Sequence, residues 1–120
     1  MLDLEKVIKY AKTKKLVSEE QPFGPDNLVY KVSGKMFFLV SLDNIPHRVN
    51  LKCDPKLALE LREKYKFVLP GYHMSKVHWN TIVFENDLTY DFLFEQIDNS
   101  YNLVVNGLSK KLQAEILFKC

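Results

Sequence analysis

The segment NLVYKVSGKMFFLVS, residues 27–41, restricts the fold more than any other part of the chain. Two runs rich in β-branched and aromatic residues, NLVYKV and KMFFLVS, are separated only by Ser33-Gly34. A two-residue link is too short for a crossover, so the runs pair antiparallel as a hairpin. HRVNLK, 47–52, then alternates, with Val49 and Leu51 on one face and Arg48, Asn50 and Lys52 on the other. Residues 27–52 thus read as a three-stranded antiparallel meander in which SLDNIPH is the longer connection.

Helical spacing brackets this sheet. Leu4, Val7, Ile8 and Ala11 make one apolar stripe over residues 3–14, and Asp3 suits the N-cap. SEEQPFGPDN, 18–27, reads as a loop because two prolines and a glycine interrupt it. In CDPKLALELREKY, Asp54 suits the N-cap, Pro55 suits the first helical position, and Leu57, Ala58, Leu61 and Tyr65 share one face. Two strands follow: FVLPGYHM, interrupted by Pro70-Gly71, and HWNTIVFE, 78–85. Residues 89–106 form a long helix with Leu93, Phe94, Ile97, Tyr101 and Val104 at helical spacing, started by Thr89 and stopped by Gly107. Ser109 caps a last short helix, SKKLQAEILF. The order describes one α+β domain over 1–120, an antiparallel sheet packed with helices.

A chain of 120 residues, 47% hydrophobic, builds one core without a metal or disulfide staple. Cys53 and Cys120 form no CxxC and fit a reducing cytosol better than a secreted scaffold. MLDLEKVIKYAKTKK lacks the apolar core of a signal peptide, and no run approaches ~18 apolar residues. The expectation is a cytoplasmic protein with no membrane span, the monomer favoured. Net charge is +2, but residues 81–109 carry five acids and no Lys or Arg. The rest of the chain is mildly basic, which permits a basic face for an anionic partner.

The stretch PGYHMSKVHWNT, 70–81, packs His73, Lys76, His78 and Trp79 together. The spacing of His73 and His78 puts them on opposite faces of a regular strand. With His47 they match no metal motif, so no metal or cofactor is expected. GxSxG, GxxxxGK[ST] and GxGxxG are missing, and no catalytic residue is assigned. Cys53 beside Asp54 reads as a small buried thiol. Trp79 is expected to fill the core and hold the sheet to the helices. The candidates for binding are cations and polar readers. Lys35, Arg48, Lys52 and Lys76 suit phosphate, while Asn50, His73 and His78 suit base edges. The same alternation also describes any half-exposed sheet.

Several blocks carry a family resemblance. PFGP at 22–25 is similar to the loop before the first strand in the MmcQ/YjbR family of small bacterial proteins. KVSGKMFFLV at 31–40 resembles its hairpin, and VNLKCDPKLALELREKY at 49–65 its strand and capped helix. PGYHMSKVHWNT is its most specific block, with SY at 100–101 and LSKK at 108–111 matching towards the C-terminus. The resemblance implies a compact α-β(3)-α-β(2)-α domain of double-wing, CyaY-like shape. It also implies DNA binding without catalysis. The alternatives are a chaperone-like module docking another protein on the sheet face or last helix, and a small-ligand pocket or enzyme near His73 and His78.

Overall fold

A computed structural model describes residues 2–71 and 74–118. Helix α1 (Leu4–Lys12) starts at Asp3, whose carboxylate accepts the Glu5 N–H at 3.0 Å. Strands β1 (Val17–Glu20), β2 (Asn27–Val32), β3 (Lys35–Ser41) and β4 (Arg48–Lys52) follow. Helix α2 (Pro55–Lys64) is capped by Asp54, strands β5 (Val68–Pro70) and β6 (Trp79–Val83) come next, and α3 (Tyr90–Asn106) and α4 (Lys110–Phe118) complete the described chain. The strands form one antiparallel sheet in the order β1-β2-β3-β4-β6-β5. Ser33 and Gly34 both take positive φ, 49° and 80°, as a two-residue hairpin turn of matching twist requires.

The helices gather on one side of the sheet. Phe38, Val40, Val49, Leu51, Val68 and Ile82 point to that side and join one core with Val7 and Ala11 of α1 and Leu93, Ile97, Tyr101 and Val104 of α3. Tyr10 donates its hydroxyl to Asp98 at 2.7 Å, and Lys14 pairs with the same carboxylate, so α1 is fastened to α3.

The β2–β3 ladder shifts register after the Tyr30–Phe38 pair, and Phe37 is left without a cross-strand partner on β2. This bulge lets two consecutive phenylalanines, Phe37 and Phe38, both enter the core. It also ends the β3–β4 pairing at Phe38–Leu51. Ser100 of α3 fills the break. Its fully buried hydroxyl donates to the Phe37 carbonyl at 2.6 Å and accepts the Lys52 N–H at 2.8 Å.

Strand β1 differs from the expectation of a loop over 18–27, and the sheet has one strand more than the expected five. Ser18, Glu19 and Glu20 are all exposed, so no apolar alternation announces the strand. The ladder to β2 holds it, helped by Tyr30 donating to Glu19 at 2.6 Å and by the Lys31–Glu20 ion pair at 3.2 Å. Burial pushes the Tyr30 hydroxyl pKa up, and the Glu19 carboxylate adds to the shift.

Ser100→Ala leaves the buried Phe37 carbonyl and the part-buried Lys52 N–H without their shared partner, at about 1–3 kcal/mol for the first and about 1 kcal/mol for the second. Urea unfolding should therefore show a loss of roughly 2–4 kcal/mol, and an unchanged midpoint would refute the bridging role.

Candidate nucleic-acid interface

Cross-strand neighbours share a face, so the register assigns the helix-free side of the sheet. One row crosses all six strands: Glu20, Val29, Leu39, Asn50, Thr81 and Leu69. Asn27, Ser41, Arg48 and Val83 lie in the adjacent row. On the opposite flank lie Lys31 and Met36, and Lys52 with Trp79.

Arg48, Asn50 and Lys52 therefore stand on one face, as their alternation implies. Asn50 is only 6% exposed, and its amide oxygen accepts the Thr81 hydroxyl. Lys35 and Lys52 meet at the end of the sheet, where both line a groove of about 320 Å³ with Met36, Trp79, Leu103 and Leu108. Lys35, Arg48 and Lys52 have no carboxylate partner among the described residues.

Lys76 is not brought to this group. It lies against α2 in a shallow hollow with Pro55, Leu59, Arg62 and Val77. His78 is exposed, and its carbonyl accepts the Cys53 N–H at 2.8 Å. His73 lies outside the described residues. His47 is half-buried, edge-on to Phe84 with ring centroids 6.0 Å apart. Among the described residues, no group of three His, Cys, Asp or Glu is placed to hold a metal ion. No described helix is long and apolar enough to cross a membrane.

Trp79 departs from its expected place in the core. Strand parity puts Asn80 and Ile82 towards the helices and Trp79 and Thr81 on the other side. The indole is half-buried and lines the Lys35–Lys52 groove. Gly71 allows this packing: a Cβ there would lie 2.7 Å from the Trp79 Cβ and 2.9 Å from its carbonyl oxygen.

Two groupings were not read from the sequence, although some of their members were. Arg62 looks like an ordinary polar position on α2. In the fold its Nε donates to Asn80 Oδ1 at 2.7 Å, and its Nη2 donates to the carbonyls of Trp79, at 3.1 Å, and Lys76. One guanidinium thus ties α2 to the turn before β6. The second set is Phe23, Asn27, Met36, Leu39, Ser41, Asn50 and Met74, which line a groove of about 360 Å³ on the open face. Phe23, 66% exposed, comes from the β1–β2 connection, and Met74 from the β5–β6 connection.

Cys53 is buried, as expected. Burial first, and the neighbouring Asp54 charge second, push its thiol up to about 11 against the opposing charge of Arg62.

Comparison with known proteins agrees with this architecture. The family model for YjbR matches residues 12–103. The chain is 41% identical over 96 residues to the uncharacterized protein YbdF of Escherichia coli O157:H7, covering 79% of this chain and 78% of that one. It is 34% identical over 82 residues to the uncharacterized protein YjbR of Escherichia coli K12, covering 68% and 69%. A Deinococcus radiodurans crystal structure with a DUF419 domain superposes with a TM-score of 0.90 at 29% identity, over 99% of this chain and 91% of that chain. A Pseudomonas syringae crystal structure gives 0.74 at 26% identity, over 85% and 98%.

Two outcomes test this description. Arg62→Ala removes three hydrogen bonds from a half-buried site and should cost about 2–3 kcal/mol by urea unfolding, with Arg62→Lys failing to restore the loss because a point donor cannot span the three acceptors. In a Cys120→Ser background, a thiol-specific disulfide reagent at pH 8 should leave Cys53 unmodified until urea is added, since the thiolate is scarce below its raised pKa. Prompt modification of the folded protein would contradict the burial.

Proposed function

This chain belongs to the YjbR family, and we propose that it acts in the cytoplasm as a non-catalytic DNA-binding protein that takes single-stranded DNA on the helix-free face of its sheet. The observation that carries this reading is the composition of that face. Arg48 and Lys52 flank Asn50 on β4 with Trp79 beside Lys52, and Phe23 stands exposed at the edge of the adjoining groove; Lys35, cross-strand to the core residue Val32, reaches Lys52 only round the sheet end, beside the last turn of α3. Cations without carboxylate partners suit a phosphate backbone, and exposed rings give bases a surface on which to stack. Glu20, the acid in the central row, is already paired with Lys31. A broad sheet with stacking rings fits splayed, unpaired bases better than the closed stack of a duplex.

Lys35, Arg48 and Lys52 are the phosphate contacts in this reading. Lys76 is left out because Arg62 holds its segment against α2 and its ammonium turns to the Gly71 carbonyl at 3.5 Å. His78 is a peripheral contact at most, since its position is set by the strand-to-helix junction at Cys53.

Fluorescence of Trp79, the single tryptophan of the chain, reports binding directly. Three single-strand phosphate contacts give a salt slope of about −2, so affinity for a dodecamer should fall roughly 20-fold between ~50 and ~200 mM salt. Duplex of the same sequence should bind more weakly. Lys52→Ala should reduce affinity at ~50 mM salt and make the slope shallower by about 0.7. No binding of either strand form at ~50 mM salt would overturn the proposal.

A further inference from the structure

The groove of about 360 Å³ on the helix-free side is a channel between two connections. Phe23 enters it from the β1–β2 connection and Met74 from the β5–β6 connection, at opposite edges of the sheet. Between them, Met36, Leu39 and Ser41 of β3 and Asn50 of β4 form the floor. The floor is sunk below the rim. Val29 and Thr81, in the same row as Leu39 and Asn50, are 1% and 2% exposed although no described helix covers this side. The channel therefore runs lengthwise over β3 and β4.

We propose that this channel seats one unpaired base of a single strand laid along β4, and that it grips the base by its faces without reading its identity. The proposal rests on the reading of the helix-free face as a single-strand DNA surface. Phe23, 66% exposed, supplies a ring for stacking, which every base can use. Met36 and Met74 are adaptable side chains that fit the edges of rings of different outline. The polar groups offer both signs. Asn27 and Asn50 each carry amide N–H donors, and each amide oxygen keeps a second lone pair after accepting from Ser41 or Thr81. Ser41 Oγ, its proton given to Asn27, is a further acceptor. Donors and acceptors in one floor can satisfy the edge of any base, so none enters at the cost of an unpaired polar group.

Charge sets the path of the backbone. Arg48 and Lys52 stand on the same face of β4, two residues to either side of Asn50, and four strand residues span about 13 Å. A nucleic-acid strand following β4 thus meets a cation on each side of the seated base. Neither cation has a carboxylate partner among the described residues. The apolar lining alone would also accept a peptide side chain, and it is these two flanking charges that favour a polyanion. At about 360 Å³ the channel falls at the small end of ligand sites, roughly 300–1,000 Å³, which suits one base rather than a large cofactor.

Abasic DNA separates the base from its backbone. In anisotropy titrations at ~50 mM salt, a labelled dT dodecamer should bind about tenfold or more tightly than an abasic dodecamer with the same number of phosphates. Phe23→Ala, at an exposed position, should fold normally and shrink that ratio several-fold by weakening dT alone. Arg48→Ala should weaken both strands alike and leave the ratio intact. Nuclear magnetic resonance of isotope-labelled methionine methyls locates the base: Met36 and Met74 should shift with dT and stay in place with the abasic strand. Equal binding of the two dodecamers, a ratio that Phe23→Ala leaves intact, or methyls that ignore dT would overturn the base seat while the phosphate contacts of the single-strand reading stand. If neither dodecamer binds, that reading fails and the seat is tested alone with mononucleotides. Comparable shifts of both methyls with each deoxynucleoside monophosphate, and none with deoxyribose phosphate, would uphold it. A response to one base only, or to a capped leucine amide and no nucleotide, would sink it.

Discussion

Ser100 holds two strands together at the point where their own ladder gives out. The bulge at Phe37 removes the next β3–β4 pairing, and the Phe37 carbonyl and Lys52 N–H would be left buried without partners. A hydroxyl satisfies both because it donates once and accepts once in the same place. The bridge therefore sets the height of α3 over the centre of the sheet. With α3 placed there, Phe37 packs edge-on against Tyr101 at 5.3 Å, and α1 is fastened behind through Tyr10 and Asp98. Burial of one side is complete, and the other side is left to the loops.

That asymmetry connects stability to function. Valine, leucine and phenylalanine on β3 and β4 are spent on the helical side, so the open side can carry Arg48, Asn50 and Lys52 without loss of core. Polar groups on an open sheet face still have to be oriented. Here the Asn27–Ser41 and Asn50–Thr81 hydrogen bonds do it, each with an amide oxygen as acceptor. Arg62 does the same for the turn before β6 by gathering three acceptors, and Trp79 is presented at the sheet end as a result. All of these contacts act by satisfying groups that strand geometry alone leaves open.

The acidic stretch noticed in the composition has a structural account in part. Asp98 of α3 receives both Tyr10 and Lys14, so at least this carboxylate fastens helices to each other. Segregating acids onto α3 also keeps them on the helical side, away from the cations of the open face. Charge separation across the sheet follows from which elements carry the acids and from the side on which α3 docks.

Local chemistry was enough to read the hairpin at Ser33-Gly34, the caps at Asp3, Asp54 and Thr89, and the shared face of Arg48, Asn50 and Lys52. Each depends on residues within a few positions of one another, where φ preference, orphan helix N–H groups and strand alternation act directly. Strand β1 was not legible, because an exposed edge strand needs no apolar pattern and is held by its neighbour's ladder. Nor was the side taken by Trp79: a large ring predicts burial in general, while strand parity relative to Ile82 decides which side it takes. Lys76 shares a sequence block with Trp79, and one Arg62 nitrogen gathers the carbonyls of both, yet the Lys76 side chain lies in the hollow against α2 rather than with Lys52. The groove joins residues from three strands and two connections whose meeting depends on sheet order. The sequence by itself determined which elements form and which side chains alternate on them. Only the tertiary structure decided which face α3 covers, and with it which alternating set stayed available for a ligand, because that choice rests on contacts between residues more than forty positions apart.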